Sequence, residues 1–136
     1  MGSTKPLQGE MRMKEESVLY FTEKEEEITK LLINIGTKKN VARILVFLAN
    51  TLEATTRGIE RGTDLRQPEV SVAMKYLVDE GWIKSRDTAS PNKGRPMKLY
   101  KLVKPISKIM SQIEKQKKIE AKNQLELIKK LRISFQ

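Results

Sequence analysis

Residues 55–83 read TTRGIERGTDLRQPEVSVAMKYLVDEGWI, and the order of helix signals in this stretch decides the fold. Thr55 or Thr56 is suited to cap a short helix, and Gly62 is predicted to take the left-handed turn that ends it. Pro68 then suits the start of a second helix, because its missing N–H would be unpaired at that position anyway. Two helices joined by so short a turn predict a helix-turn-helix.

The second helix of this pair is predicted over residues 67–80, with Gly81 as its C-terminal cap. Apolar residues recur at helical spacing along its inward face: Val70, Ala73, Met74, Leu77 and Val78. After Gly81 the spacing changes to two, which predicts a strand at 82–86, a turn-rich loop at 88–96 and a returning strand at 97–102. This hairpin is strongly basic, since it carries six Lys or Arg and one acid.

Two further helices are predicted before this segment. Thr22 and Glu25 form a capping-box pattern for a helix over residues 22–35, and the run of acids that starts at Glu25 is expected to be a solvated first turn. A helix over residues 39–50 is apolar on most sides and should be buried, with Arg43 near its solvated end.

The last predicted helix runs from Pro105 to Leu131 and is too long for a small domain to cover. Its apolar residues form two stripes around a charged middle, which favours packing on a second chain. With the outer side of the helix over 22–35, these stripes supply the candidate residues of a homodimer interface: Ile28, Leu31, Ile106, Ile109, Met110, Ile113, Leu125, Ile128 and Leu131.

The composition favours a polyanionic partner and argues against most enzymes. A net charge of +10 and a pI near 9.8 predict attraction to nucleic acid first and to an anionic membrane surface second. The chain has no Cys and no His, so thiolate nucleophiles, the commonest general base and the usual zinc ligands are absent. We therefore expect a protein that is not an enzyme, without metal or cofactor. Without a signal peptide or a membrane-spanning run, we expect a cytoplasmic location and no membrane partner.

The outer side of the helix over 67–80 supplies candidates for reading DNA bases, because the major groove admits one helix. Gln67 can pair with adenine, Val72 can meet a thymine methyl, and Ser71 and Lys75 lie one turn apart on the same side. The alternatives are that Gln67 only caps the helix, that Ser71 only packs closely and that Lys75 is only solvated. Candidates for backbone or wing contacts are Thr55, Thr56, Arg57, Arg66, Lys93, Arg95 and Lys98.

Several short motifs, taken in order, resemble winged helix-turn-helix transcription regulators, and most closely the small ArsR-, MarR- and TrmB-like regulators common in archaea. They are RQPEVS at 66–71, Leu77, EGWI at 80–83, KGRP at 93–96, and Tyr100 with Leu102. The resemblance implies a homodimer on a pseudo-palindromic double-stranded DNA site, with a wing at 86–97 on the minor groove or backbone. Thiolate or imidazole metal sensing does not transfer to a chain without Cys and His, and an unidentified small-molecule effector stays open.

The sequence thus predicts a mainly α fold with a small β-hairpin, that is, an α+β winged helix-turn-helix. Its predicted parts are a flexible leader at 1–17, the winged helix-turn-helix domain with its N-terminal helix at 18–104, and a dimerisation helix at 105–136. The predicted function is a sequence-specific DNA-binding transcription regulator. Two alternatives are a protein–protein adaptor on the same scaffold and an architectural DNA-binding protein without sequence preference.

Overall fold

The computed structural model describes residues 21–88 and 97–136, which contain five helices and two strands. The chain divides into two compact units, Met1–Val103 and Lys104–Gln136. The elements of the first unit are α1 (Glu23–Asn34), α2 (Lys39–Ala49), α3 (Thr56–Thr63), α4 (Gln67–Asp79), β1 (Ile83–Thr88) and β2 (Met97–Leu102). The second unit contains α5 (Ile106–Ser134), which continues beyond the predicted end at Leu131.

The core of the first unit is built around α2, which packs against α1, α3, α4 and β2. Its largest fully buried side chains are Phe47, Ile44, Leu45 and Leu48. Each such side chain contributes roughly 1.5–3 kcal/mol when it leaves water. The prediction of a largely buried helix is confirmed, because most residues of α2 are buried. This position at the centre of the unit is the one expected for a helix that is apolar on most sides.

A buried carboxylate joins α1 to the end of α2. Glu25 completes the predicted capping box, because its Oε1 accepts the Thr22 N–H at 2.8 Å while Thr22 Oγ1 accepts the Glu25 N–H at 3.1 Å. Its other oxygen, Oε2, accepts a hydrogen bond from Asn50 Nδ2 at 2.7 Å. The expectation of a solvated acidic turn is therefore wrong for Glu25, which is buried, although Glu26 and Glu27 are exposed.

The Arg43 side chain fixes the end of α3, whereas the sequence pattern had placed it near a solvated helix end. Its Nε donates to the Thr63 carbonyl at 3.0 Å, and Nη1 lies 3.4 Å from Glu26 Oε1. The guanidinium also lies over the Phe21 ring, 4.3 Å from its centroid. Arg43 is drawn inward because the last carbonyls of a helix have no partners within that helix and need donors from elsewhere.

The turn between α3 and α4 occupies residues 64–66, and its left-handed residue is Asp64 with φ 58°. The prediction that Gly62 makes this turn is wrong. Gly62 lies inside α3, where a Cβ atom would overlap the ring of Phe47. Close packing therefore requires glycine at 62, while Asp64 tolerates the left-handed conformation because its side chain is short and polar.

The N-cap of α4 is Arg66, whose backbone N–H donates to Glu69 Oε1 at 2.8 Å. Pro68 lies in the first turn, where no N–H is required. Four of the five predicted inward residues are buried: Val70, Ala73, Met74 and Leu77. The fifth, Val78, is exposed, because a step of about 100° per residue places it on the flank of that face.

The hairpin pairs β1 and β2 antiparallel, from residues 83 and 102 to residues 88 and 97. Gly81, with φ +79°, turns the chain from α4 into β1, as predicted. Ala54 exchanges two hydrogen bonds with Tyr100, at 3.0 and 2.8 Å, and adds one more rung beside β2. This helix-turn-helix followed by a hairpin confirms the predicted winged helix-turn-helix, a mainly α fold with a small sheet.

Candidate nucleic-acid interface

One side of α4 is exposed along its length, and we call it the α4 face. It consists of Gln67, Pro68, Ser71, Val72, Lys75 and Tyr76. All four residues predicted to contact bases lie on it. Because the opposite side of α4 is buried in the core, the helix is held in place while this face remains presented to solvent.

Gln67 and Ser71 form a single hydrogen-bonding unit on the α4 face. Arg66 is the N-cap, so the alternative in which Gln67 only caps the helix is wrong. Instead Gln67 Nε2 donates to Ser71 Oγ at 3.0 Å. The amide of Gln67 keeps its oxygen as an acceptor and one further N–H as a donor.

An apolar strip runs along the α4 face through Pro68, Val72 and Tyr76, which are spaced four residues apart and so lie on one side of the helix. Val72 is 74% exposed. The Tyr76 ring meets Trp82 edge-on with the ring centroids 6.1 Å apart. Partial burial, together with the charge of Glu80, raises the pKa of Tyr76, so its hydroxyl remains a neutral donor. Tyr76 belongs to the face but was not among the predicted site residues.

The charges on α4 and its cap cancel. Residues 66–79 contain two basic and two acidic residues. Lys75 Nζ lies 3.2 Å from Asp79 Oδ2, and both side chains are well exposed. A pair of this kind contributes about 0.3–0.5 kcal/mol, so Lys75 can exchange Asp79 for another acceptor at little cost. The α4 face therefore offers shape and hydrogen bonds rather than a strong positive potential.

The start of α3 was predicted to hold phosphate. Thr55 is its N-cap, and Thr55 Oγ1 accepts the Gly58 N–H at 3.0 Å. Thr56 is half-buried, whereas Arg57 is exposed. Of these three predicted contacts only Arg57 is exposed, and Arg61 is a second exposed cation on the same helix.

Two cations of the hairpin are held by acids. Arg86 donates from Nε and Nη2 to the two carboxylate oxygens of Glu53, at 2.8 and 2.9 Å. The hydrogen bonds from Arg86 lower the pKa of Glu53. Lys98, a predicted wing contact, has its Nζ 3.8 Å from Asp87 Oδ1. The other predicted wing contacts lie outside the described residues: Lys93 and Arg95.

A pair of lysines that the sequence analysis did not single out lies at the base of the hairpin. Lys84 and Lys101 are direct partners across the strands, and both are exposed. Like charges opposite each other on neighbouring strands destabilise a sheet. The two lysines are visible in the sequence, but their pairing follows only from the register of the two strands. The unfavourable pairing marks this point as a candidate anion-binding position.

The residues predicted for a dimer interface lie on α1 and α5. On α1, Leu31 is 62% exposed and Ile28 is also exposed. On α5, Ile113 is half-buried and Ile109 is buried in the single chain. The remaining predicted residues of α5 are exposed: Ile106, Met110, Leu125, Ile128 and Leu131.

Within residues 21–88 and 97–136, no three His, Cys, Asp or Glu side chains are grouped so as to hold a metal ion. In the same ranges, every helix is too short or too polar to cross a membrane.

No protein-family model matches this sequence, and no curated protein matches it either. Solved structures with the same fold do match. TrmBL2, described as an archaeal chromatin protein with a novel mode of DNA binding, has a TM-score of 0.58 and 18% identity, over 82% of this chain and 40% of its own. A structure described as a possible transcriptional regulator from Methanosarcina mazei has a TM-score of 0.54 and 14% identity, over 74% of this chain and 85% of its own. A MarR family regulator from Silicibacter pomeroyi has a TM-score of 0.49 and 18% identity, over 68% of this chain and 59% of its own.

Proposed function

We propose that the protein is a sequence-specific double-stranded DNA-binding transcription regulator and not an enzyme. In this proposal α4 lies in the major groove, and the basic hairpin contacts the minor groove or the phosphate backbone. The α4 face is the observation that carries it, since a row of exposed side chains stands on a helix whose other side is locked into the core. The major groove is about 12 Å wide and admits one such helix.

Base readout is assigned to Gln67, Ser71, Val72 and Lys75. Because the charges over residues 66–79 cancel, most of the phosphate attraction must come from neighbouring elements. We assign it to the predicted contacts Arg57, Arg66, Lys93, Arg95 and Lys98, and add the pair Lys84 and Lys101. The two threonines at the start of α3, Thr55 and Thr56, would donate to the same phosphate as Arg57.

A homodimer on a pseudo-palindromic site is part of the proposal. The exposed apolar residues of α1 and α5 support it, because large exposed apolar surfaces usually mark interaction sites. Two copies related by a twofold axis would place their α4 helices in successive turns of the groove. A small-molecule effector, kinship with ArsR-like regulators, an archaeal source and a cytoplasmic location remain predictions from the sequence.

The test is selection of bound fragments from random duplex DNA at fixed, near-physiological salt, followed by titration of the enriched and a scrambled duplex. We expect an inverted repeat with half-sites about one helical turn apart. Gln67→Ala should lower the ratio of specific to non-specific affinity. Lys84→Ala with Lys101→Ala should instead lower the slope of log affinity against log salt by about 1.8, because each phosphate contact contributes about 0.9.

A matched control is Lys24→Ala with Lys30→Ala, which removes the same charge from α1 and should leave the salt slope unchanged. Enrichment that is indifferent to every substitution on the α4 face would refute the assignment of α4 to the groove. Binding without enrichment would favour an architectural DNA-binding protein, a role for which the fold shared with TrmBL2 gives some support. A protein that binds no duplex and captures a partner through the α4 face would be an adaptor.

A further inference from the structure

We propose that each half-site contains an A·T step in which Val72 packs on the C5 methyl group of a thymine while Gln67 binds a neighbouring adenine. This inference rests on the proposed function and deepens it, because it names the base chemistry that α4 selects. It follows from two features of the α4 face: an apolar strip and an amide whose hydrogen bonds are already partly assigned.

Val72 is 74% exposed, well above Tyr76 and Val78 on the same helix. Its neighbours on the strip, Pro68 and Tyr76, are exposed as well, and the strip runs along the side of the helix turned away from the core. On the major-groove edges of the four base pairs, the C5 methyl of thymine is the apolar group. A strip of this chemistry therefore matches thymine and offers nothing to the polar edges of a G·C pair.

The amide of Gln67 favours an adenine at the neighbouring position by a separate argument. One of its two N–H groups is donated to Ser71, which leaves one donor and the oxygen acceptor. Adenine presents one acceptor, N7, and one donor group, N6, and matches this remainder. Guanine presents two acceptors on that edge, N7 and O6, and does not. Ser71 thus acts as a positioning residue that orients Gln67 for adenine.

Occupation of the strip by DNA, rather than by another protein, is favoured by the surrounding charge. The chain carries a net charge of +10, and the exposed cations on other elements of the first unit include Arg57 on α3, Lys84 on β1 and Lys101 on β2. The apolar strip and the cations around it together suit a polyanion that also carries apolar groups, as the major groove of DNA does.

The experiment uses the full chain and the enriched duplex from the selection. Each thymine is replaced in turn by deoxyuridine, which deletes only the C5 methyl. We expect one thymine per half-site at which the replacement weakens binding about fourfold, the equivalent of one buried methylene group. With Val72→Ala the difference between thymine and uracil at that position should disappear. With Lys24→Ala, a control on α1, it should persist.

Three results would overturn the inference. These are replacement of every thymine by uracil without loss of affinity, persistence of the wild-type difference in Val72→Ala, and a selected half-site that lacks an A·T pair. A parallel readout is Ser71→Ala, which should reduce the preference for adenine over guanine at the neighbouring position while leaving the thymine methyl effect intact. These three results leave the proposed function intact. If selection enriches no sequence at all, the proposed function itself fails.

Discussion

Replacing Gly62 by alanine tests the packing that places α3 against α2. Gly62 is buried in α3, and an added Cβ would lie 2.7 Å from Phe47 Cζ and 2.8 Å from Cδ1, with Cε1 closer still. Phe47 is fully buried, so its ring cannot turn aside without displacing its neighbours. Alanine at 62 therefore forces either the ring or the whole of α3 to move.

Two opposing effects decide the magnitude of this change. Alanine is favoured over glycine within a helix by about 0.8–1.0 kcal/mol. Inserting a methyl group into a packed core costs about 1–3 kcal/mol, and overlap with three ring atoms belongs at the upper end. We expect Gly62→Ala to lower the free energy of unfolding by about 2 kcal/mol, which lowers the Tm by on the order of 10 °C for a domain of this size.

The assay is urea denaturation followed by the fluorescence of Trp82, the only tryptophan in the chain. Gly81→Ala is the matched control, because nothing lies within 4 Å of its added Cβ and only the cost of φ +79° remains, about 1–2 kcal/mol. Combined with Gly62→Ala, the substitution Phe47→Leu should restore part of the lost stability. Combined with Gly81→Ala, it should restore none. If Gly62→Ala were as stable as the unmodified chain, the close approach of α3 to Phe47 would be wrong.

Further predictions concern the clamp at α3, the hairpin and self-association. Arg43→Met should lower the free energy of unfolding by about 1–3 kcal/mol, since the Thr63 carbonyl loses a charged donor; an unchanged urea midpoint would contradict the clamp. The pKa of Glu53 is lowered in the fold, so the stability from its pair with Arg86 is present above the ordinary glutamate pKa, about 4.3, and is lost as pH falls through the lowered value. Glu53→Gln should therefore flatten the loss of thermal stability in that acidic range, and parallel pH profiles of the two proteins would count against it. Leu131→Glu should convert a dimer to monomer in light scattering, and a monomeric unmodified chain would remove the role given to α5.

Local signals in the sequence were sufficient for the helix-turn-helix and the hairpin. The start of α4 near Pro68, its inward apolar spacing and the left-handed Gly81 depend on neighbours within one or two turns, and periodicity records such neighbours. For the same reason the side of α4 that stays exposed, with Gln67 and Val72 on it, could be named in advance.

Apart from Val78, which lies on the flank of the inward face of α4, the errors concern contacts between residues that are distant in sequence. A glycine in a short helix gives the same local signal whether it ends the helix or makes room for an aromatic ring, and only the packing of α2 on α3 decides between the two at Gly62. Glu25 and Arg43 carry charges typical of solvated positions, yet their partners Asn50 and Thr63 lie about twenty residues or more away. The rung at Ala54 involves a single residue and so has no period to detect.

The acids of α4 indicate how this helix would enter the groove. Glu69 accepts the backbone N–H of Arg66 at the N-terminal end, whereas Asp79, which pairs with Lys75, and Glu80 lie at the C-terminal end, where the helix dipole is negative as well. Phosphates near that end would be repelled, while Arg66 and the positive end of the dipole attract them at the other. Under the proposed function, the electrostatics therefore favour insertion with the N-terminal end leading, which would bring Gln67, Ser71 and Val72 nearest to the bases. Specific recognition would then be concentrated in the first two turns of α4, and the cations of the hairpin and α3 would supply attraction that does not depend on sequence.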